Sequence, residues 1–113
     1  MNRGTIVLTP FPFTNLQGNK VRPALIVSST KRKGNDVILA FISSVVEFPI
    51  LETDYLLKIS DPQFVSTGLK VDSIFKMDKL VTIDKSMIIG ELGSVSDTLM
   101  KLLDKKLLLS FGL

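Results

Sequence analysis

A mainly β (α+β) fold is predicted for this chain: a small barrel-like sheet of about five to seven short strands closed by one C-terminal helix. Three observations carry that expectation. The β-branched residues dominate, with ten Val, ten Ile and eight Thr against two Ala, and such side chains lose χ1 freedom in helices but fit a pleated surface. The apolar runs are short and separated by Gly, Pro and Asn, the punctuation of strands and turns. Helical spacing occurs in one place only, after Ser96. At 113 residues a single domain spanning 1–113 is expected, large enough for a sizeable core.

The elements follow in order. Thr5-Ile6-Val7-Leu8 is a strand stopped by Pro10 and Pro12. A loop from Pro10 to Lys20 holds both prolines, Gly18, Asn15 and Asn19, and loops of that length are usually functional or disordered. Its Phe11 and Phe13 either pin the loop to the core or stack on bases. Arg22-Pro23 opens the strand Ala24 to Ser28, and the polar tip Ser29 to Asn35 turns the chain into the strand Asp36 to Ile42, together a hairpin. Both strands are nearly continuous apolar runs, so they belong at the buried centre of the sheet. Strand-like runs return at Tyr55–Ile59, Ser73–Lys76, Leu80–Ile83 and Ile88–Leu92. The final helix has Ser96 as cap, Asp97 in its first turn, Leu99, Leu102, Leu103 and Leu107 on one face, and Gly112 as a stop.

Composition excludes much chemistry. The chain has no histidine, cysteine or tryptophan, which removes thiolate nucleophiles, disulfides, zinc fingers and Ser-His-Asp triads. No Gly-rich phosphate-cradling loop occurs, since Gly18-Asn19-Lys20 lacks its partner glycine. A metal site would need carboxylates alone. The one tight pair, Glu52 and Asp54, reads as a solvated strand edge, so no metal or other cofactor is expected. Mean hydropathy is +0.35, yet the strongest apolar run, Val37 to Ile42, is far short of the roughly 20 residues a membrane span needs. A cytoplasmic protein without a signal segment or membrane contact is expected.

The net charge of +3 is uneven: residues 1–35 carry six Lys or Arg and no acid, and the remainder carries eight Lys against eleven Asp or Glu. A basic first third suggests one positive face suited to a polyanion. Within it, Arg22 precedes a buried strand, where a rigid backbone aims a guanidinium at phosphate or leaves it as a solvated loop end. Ser43 ends the most apolar strand, as a phosphate contact or a simple cap. Lys76 and Asp78, two apart, share a face in an extended chain, as phosphate ligand and proton acceptor or as a surface ion pair. The Lys31-Arg32-Lys33 tip is a solvated turn or a binding patch.

These residues also resemble a family. Arg3-Gly4-Thr5-Ile6-Val7-Leu8-Thr9-Pro10-Phe11-Pro12-Phe13-Thr14-Asn15, Lys20-Val21-Arg22-Pro23-Ala24-Leu25-Ile26-Val27-Ser28, Asp36 to Ser44, Gly68 to Ser73, Asp78 to Ser86 and Ile89 to Leu92 follow, in order, the pattern of the MazF/PemK toxins of type II toxin–antitoxin modules. The resemblance implies a homodimeric SH3-like barrel with a C-terminal helix. It implies an mRNA interferase, a sequence-specific endoribonuclease that cleaves single-stranded RNA without metal and is held by a cognate antitoxin. In such enzymes the ribose 2′-OH attacks the adjacent phosphorus, leaving a cyclic phosphate and a 5′-OH. The family's Arg before Pro falls on Arg22, its hydroxyl residue after the third strand on Ser43, and a subgroup's Arg and Asp on Lys76 and Asp78. The catalytic candidates are thus Arg22, Ser43 and Asp78, and the RNA-binding candidates Thr14, Asn15, Lys20, Lys31, Arg32 and Lys76. Four positions depart from the pattern. Thr5 follows Gly4 where the family has an acid, Ser43 replaces Thr, Lys76 replaces Arg, and Gln17 is the nearest polar residue to an absent loop histidine. A same-fold toxin that poisons a protein such as gyrase, or a nucleic-acid-binding barrel without nuclease activity, are the competing expectations.

Overall fold

The computed structural model describes residues 1–10 and 20–113. The loop residues Phe11, Phe13, Thr14, Asn15 and Gln17 lie outside the described residues. The strands are β1 (Thr5–Pro10), β2 (Val21–Ile26), β3 (Asp36–Ser43), β4 (Asp54–Leu57), β5 (Ser73–Asp84) and β6 (Gly90–Ser94), followed by α1 (Asp97–Ser110). They form one curled sheet in the order β4-β5-β3-β2-β1-β6, with every pairing antiparallel. As their continuous apolar pattern predicts, β2 and β3 sit at the centre. No described helix is long and apolar enough to cross a membrane.

The sheet has two different faces. One packs under α1, where Ile6, Leu25, Ala40, Ile42, Phe75 and Met77 meet Leu99, Met100 and Leu103. The opposite face carries Val7, Ala24, Ile26, Leu39 and Ile83, the alternate residues of the same strands, as a period of two requires. The helix begins as its sequence predicts: Leu99 N–H donates to the Ser96 hydroxyl at 3.1 Å, and Asp97 lies in the first turn, both favourable where the helix N–H groups are unpaired. Beneath its end of the sheet, Gly68 has φ +71° and a Cβ there would stand 2.1 Å from the Leu92 carbonyl oxygen; only glycine lets the turn approach β6 this closely.

Three sequence expectations are corrected. Ser73–Lys76 and Leu80–Ile83 are one strand, because β5 keeps its pairing with β3 through a bulge. The last strand begins at Gly90 instead of Ile88, since a short 3-10 turn at Lys85–Met87, capped by Asp84, occupies the chain before it. Asp54 is not a solvated edge. It is 3% exposed and lies opposite Lys76 in the β4–β5 ladder.

Candidate functional site

The site grows from the register of β2 and β3. Ala24 pairs with Phe41 and Leu25 with Ala40; carrying that register two residues further brings Arg22 level with Ser43 on one face. This is the face away from α1, and both residues line a cavity of about 260 Å³ together with Val21, Phe41, Val45 and Lys79. On the other side Arg22 is level with Thr9 of β1, which is fully buried. Arg22 is thus paired with β1 at its own position, and β2 is paired with β3 from Ala24 onward.

Its environment is unusual. The Arg22 Nε is buried and, among the described residues, has no hydrogen-bond partner. A buried donor left unmade costs on the order of 1–3 kcal/mol, and the same residue lines the cavity with Ser43 and Lys79. The Ser43 hydroxyl is engaged locally: it accepts from the Val45 N–H at 3.1 Å and lies 3.2 Å from the Val45 carbonyl oxygen, to which it donates. It fastens the loop that leaves β3.

A second cavity of about 400 Å³ continues from the first, sharing Phe41, Ser43, Val45 and Lys79 and adding Glu47, Phe48, Asp54 and Lys76. Here the bulge decides which side chains meet. Phe41 pairs with Lys76, but Ala40 pairs with Leu80, so Met77, Asp78 and Lys79 are extra residues on β5. In an unbroken strand Lys76 and Lys79, three apart, would face opposite ways; the extra residues bring both into this cavity. The same irregularity ends the alternation that would have kept Asp78 beside Lys76. Asp78 is exposed and lines neither cavity.

Lys76 does not pair with Asp78. Its Nζ donates to both Asp54 carboxylate oxygens at 3.2 and 3.1 Å, with the carboxylate side chain 3% exposed. Asp54 also accepts from the Leu51 N–H at 3.3 Å, and its own N–H donates to the Leu51 carbonyl at 3.0 Å. The pair is a clamp that anchors the loop between β3 and β4. The Lys79 ammonium has no ion-pair or hydrogen-bond partner among the described residues, so it joins Arg22 as a second uncommitted cation on the cavity. Lys79 was missed from the sequence; its one signal is that alternation fails between Phe75 and Leu80.

The other basic residues are dispersed, and the single positive face is not formed. Lys20 is exposed, just before β2. Lys31 and Arg32 sit at the opposite end of the hairpin: β3 spans seven residue steps, which puts them roughly 23 Å from Ser43. There the Arg32 guanidinium donates to the Asp36 carbonyl at 3.5 Å. Arg3 is committed to the helix, its guanidinium 2.6 Å from the Asp104 carboxylate, and hydrogen bonding by that carboxylate raises the Arg3 pKa further.

The sequence matches, over residues 2–111, the family model of PemK-like, MazF-like toxins of type II toxin–antitoxin systems. The chain belongs to that family. No curated protein matches this MazF-like toxin, but solved structures share its fold. An endoribonuclease in complex with its cognate antitoxin from a mycobacterial species superposes with a TM-score of 0.75 at 23% identity, covering 100% of this chain and 96% of that one. An endoribonuclease from a mycobacterial species gives 0.73 at 22%, covering 100% and 92%. The Mycobacterium tuberculosis toxin MazF-mt6 gives 0.69 at 21%, with 98% of each chain covered.

Proposed function

We propose that this toxin is a sequence-specific endoribonuclease that cuts single-stranded mRNA in the cytoplasm without metal, working as a homodimer of single-domain chains until a cognate antitoxin restrains it. The observation that carries the reading is the buried, unpaired Nε of Arg22 in a cavity shared with Ser43 and Lys79. A phosphate oxygen is the acceptor this arrangement lacks. Endoribonuclease structures of the same fold support the reading.

The ribose 2′-oxygen attacks the adjacent phosphorus as its proton passes to water; the O2′–P bond forms, the P–O5′ bond breaks, the departing 5′-oxygen takes a proton from water, and the products are a 2′,3′-cyclic phosphate and a 5′-OH. Such a reaction needs positioning and charge stabilisation more than covalent help. Arg22 holds the charge that develops on the phosphorane, with Ser43 and Lys79 beside it. Of the two carboxylates on the groove, Asp54 is bound to Lys76, and neither it nor Glu47 lines the smaller cavity that Arg22 shares with Ser43 and Lys79.

Incubation with a long single-stranded RNA in EDTA, with 5′ ends mapped, tests this. Cuts at short recurring sequences that disappear in Arg22→Ala are expected. Growth arrest on expression without any RNA cleavage would instead point to a poisoned protein target. Binding without cleavage or arrest would point to an inactive nucleic-acid-binding barrel.

A further inference from the structure

The loop between β3 and β4 places an exposed aromatic ring where the phosphate reading has no use for one. Phe48 is 74% exposed and lines the larger cavity, which joins the Arg22 cavity through Ser43 and Lys79. What distinguishes this ring is its place on the wall of a cavity that also holds Lys76 and Lys79. Beside it Glu47, also exposed, has no hydrogen-bond or ion-pair partner among the described residues. A free carboxylate on the wall of a phosphate-binding groove repels the backbone it is meant to admit. That cost is offset when the carboxylate accepts a hydrogen bond from the ligand. The loop holding both residues is anchored at its two ends, by the Ser43–Val45 bonds and by Asp54 on Lys76, which keeps it beside the groove that Arg22 opens onto.

We propose that this groove is a nucleobase subsite: the base next to the scissile phosphate stacks on Phe48 and donates its exocyclic amino group to Glu47, while Lys79 pairs with the intervening phosphate. Every base offers a π-face to an aromatic ring, so stacking alone selects nothing. An acceptor-only carboxylate does select. Adenine, cytosine and guanine carry exocyclic amino donors, whereas uracil offers only its N3–H, flanked by two carbonyl oxygens that repel a carboxylate. The subsite therefore discriminates against uracil at one position beside the cut.

The inference rests on the ribonuclease reading, and the test separates the two. A random-sequence RNA pool is digested and the cut sites are sequenced. In parallel, binding of the same sequences with a 2′-deoxyribose at the cut position is followed by fluorescence anisotropy. Wild type is expected to show uracil depleted at one fixed position beside the cut. Glu47→Gln is expected to erase that depletion. Phe48→Ala raises KM and the dissociation constant roughly 10-fold, the effect of losing one stacked base, and Phe48→Trp restores them. Because Phe48 is exposed, these variants keep the fold, which circular dichroism checks. Cutting with wild-type KM and an unchanged base preference in Phe48→Ala and Glu47→Gln would overturn the subsite and leave the nuclease standing. Binding that depends on Phe48 and Glu47 without any cutting would keep the subsite and overturn the nuclease. A Phe48→Ala chain that changes oligomeric state in sedimentation while binding RNA normally would assign the ring to a protein contact and overturn the proposal.

Discussion

The two ends of the β2–β3 hairpin are both basic in sequence and differ in what surrounds the charge. At the open end, Lys20 precedes β2, Arg22 is its second residue and Ser43 closes β3; at the tip, Lys31, Arg32 and Lys33 are contiguous. The tip has more charge, but its side chains are exposed and lie beside Asp36, which pairs with Asp84 across the β3–β5 ladder. The open end has less charge and more structure: paired strands hold Arg22, its Nε is buried, and a bulge brings Lys79 to the same cavity. Charge density in a sequence measures attraction for a polyanion at a distance. Burial and fixed geometry determine where a phosphate is held well enough to react, because electrostatic interactions strengthen as water is removed.

Arg22→Ala should break the comparison most. With the cavity's guanidinium gone, kcat on a defined single-stranded RNA is expected to fall about 10³-fold, the scale for losing a charge-stabilising donor. Arg22→Lys should recover little, since a point charge does not reproduce the guanidinium fork. A loss smaller than about tenfold would place the chemistry elsewhere.

The clamp behind the cavity comes next. Asp54→Ala leaves the Lys76 ammonium, 19% exposed, without its partner, and breaking a largely buried pair from one side costs on the order of 3–5 kcal/mol. Urea denaturation should show that loss in the midpoint without a change in slope. A double variant, Asp54→Leu with Lys76→Met, should recover most of it, because an apolar pair needs no compensating charge. If the double variant is as unstable as Asp54→Ala, Asp54 acts through the Leu51 turn and not through Lys76.

These two positions mark how far the sequence could be read. Arg22 was legible because a strand start after a proline-rich loop and before Pro23 is a local pattern. The central place of β2 and β3 and the Ser96 cap were legible for the same reason: continuous apolar runs and helix starts are written in adjacent residues. Asp54 and Lys79 were not. Asp54 is buried by a cross-strand partner 22 residues away, and Lys79 reaches the cavity only because β5 carries extra residues against β3. A bulge is a property of two strands in register, and no single run of residues encodes it. The same bulge explains why Asp78, placed beside Lys76 by a simple period of two, lies outside both cavities; Asp78→Asn is expected to leave kcat within about threefold of wild type, well short of what losing a general base costs.

Lys79→Ala sharpens the contrast between the two ends through salt. Losing one phosphate contact should lower the slope of log binding constant against log salt by about 0.7 for a single strand. Replacing Lys31, Arg32 and Lys33 together by Ala should change it less at ordinary salt. The tip stands roughly 23 Å from Ser43 along β3, beyond a Debye length of about 8 Å. A triple variant with the larger effect would mean that RNA runs along the whole hairpin.

The smallest effect belongs to the tip end itself. Asp84 accepts from the Ser86 N–H at 2.8 Å, and that hydrogen bond, with a further one from the Ser86 side chain, holds its carboxyl below the usual aspartate range. A group whose pKa is lower in the folded chain stabilises the fold above its unfolded value and loses that contribution as pH falls through the folded one. Asp84→Ala should therefore melt slightly below wild type at pH 7, with unchanged RNA cleavage. The difference should close as the pH is taken below about 3.9, the ordinary aspartate value. A gap in melting temperature that persists at pH 2 would mean that the turn at Lys85–Met87 depends on the shape of Asp84 and not on its charge. A simultaneous loss of cleavage would mean that the two ends of the hairpin are coupled through β5, the strand that carries both Asp84 and Lys79.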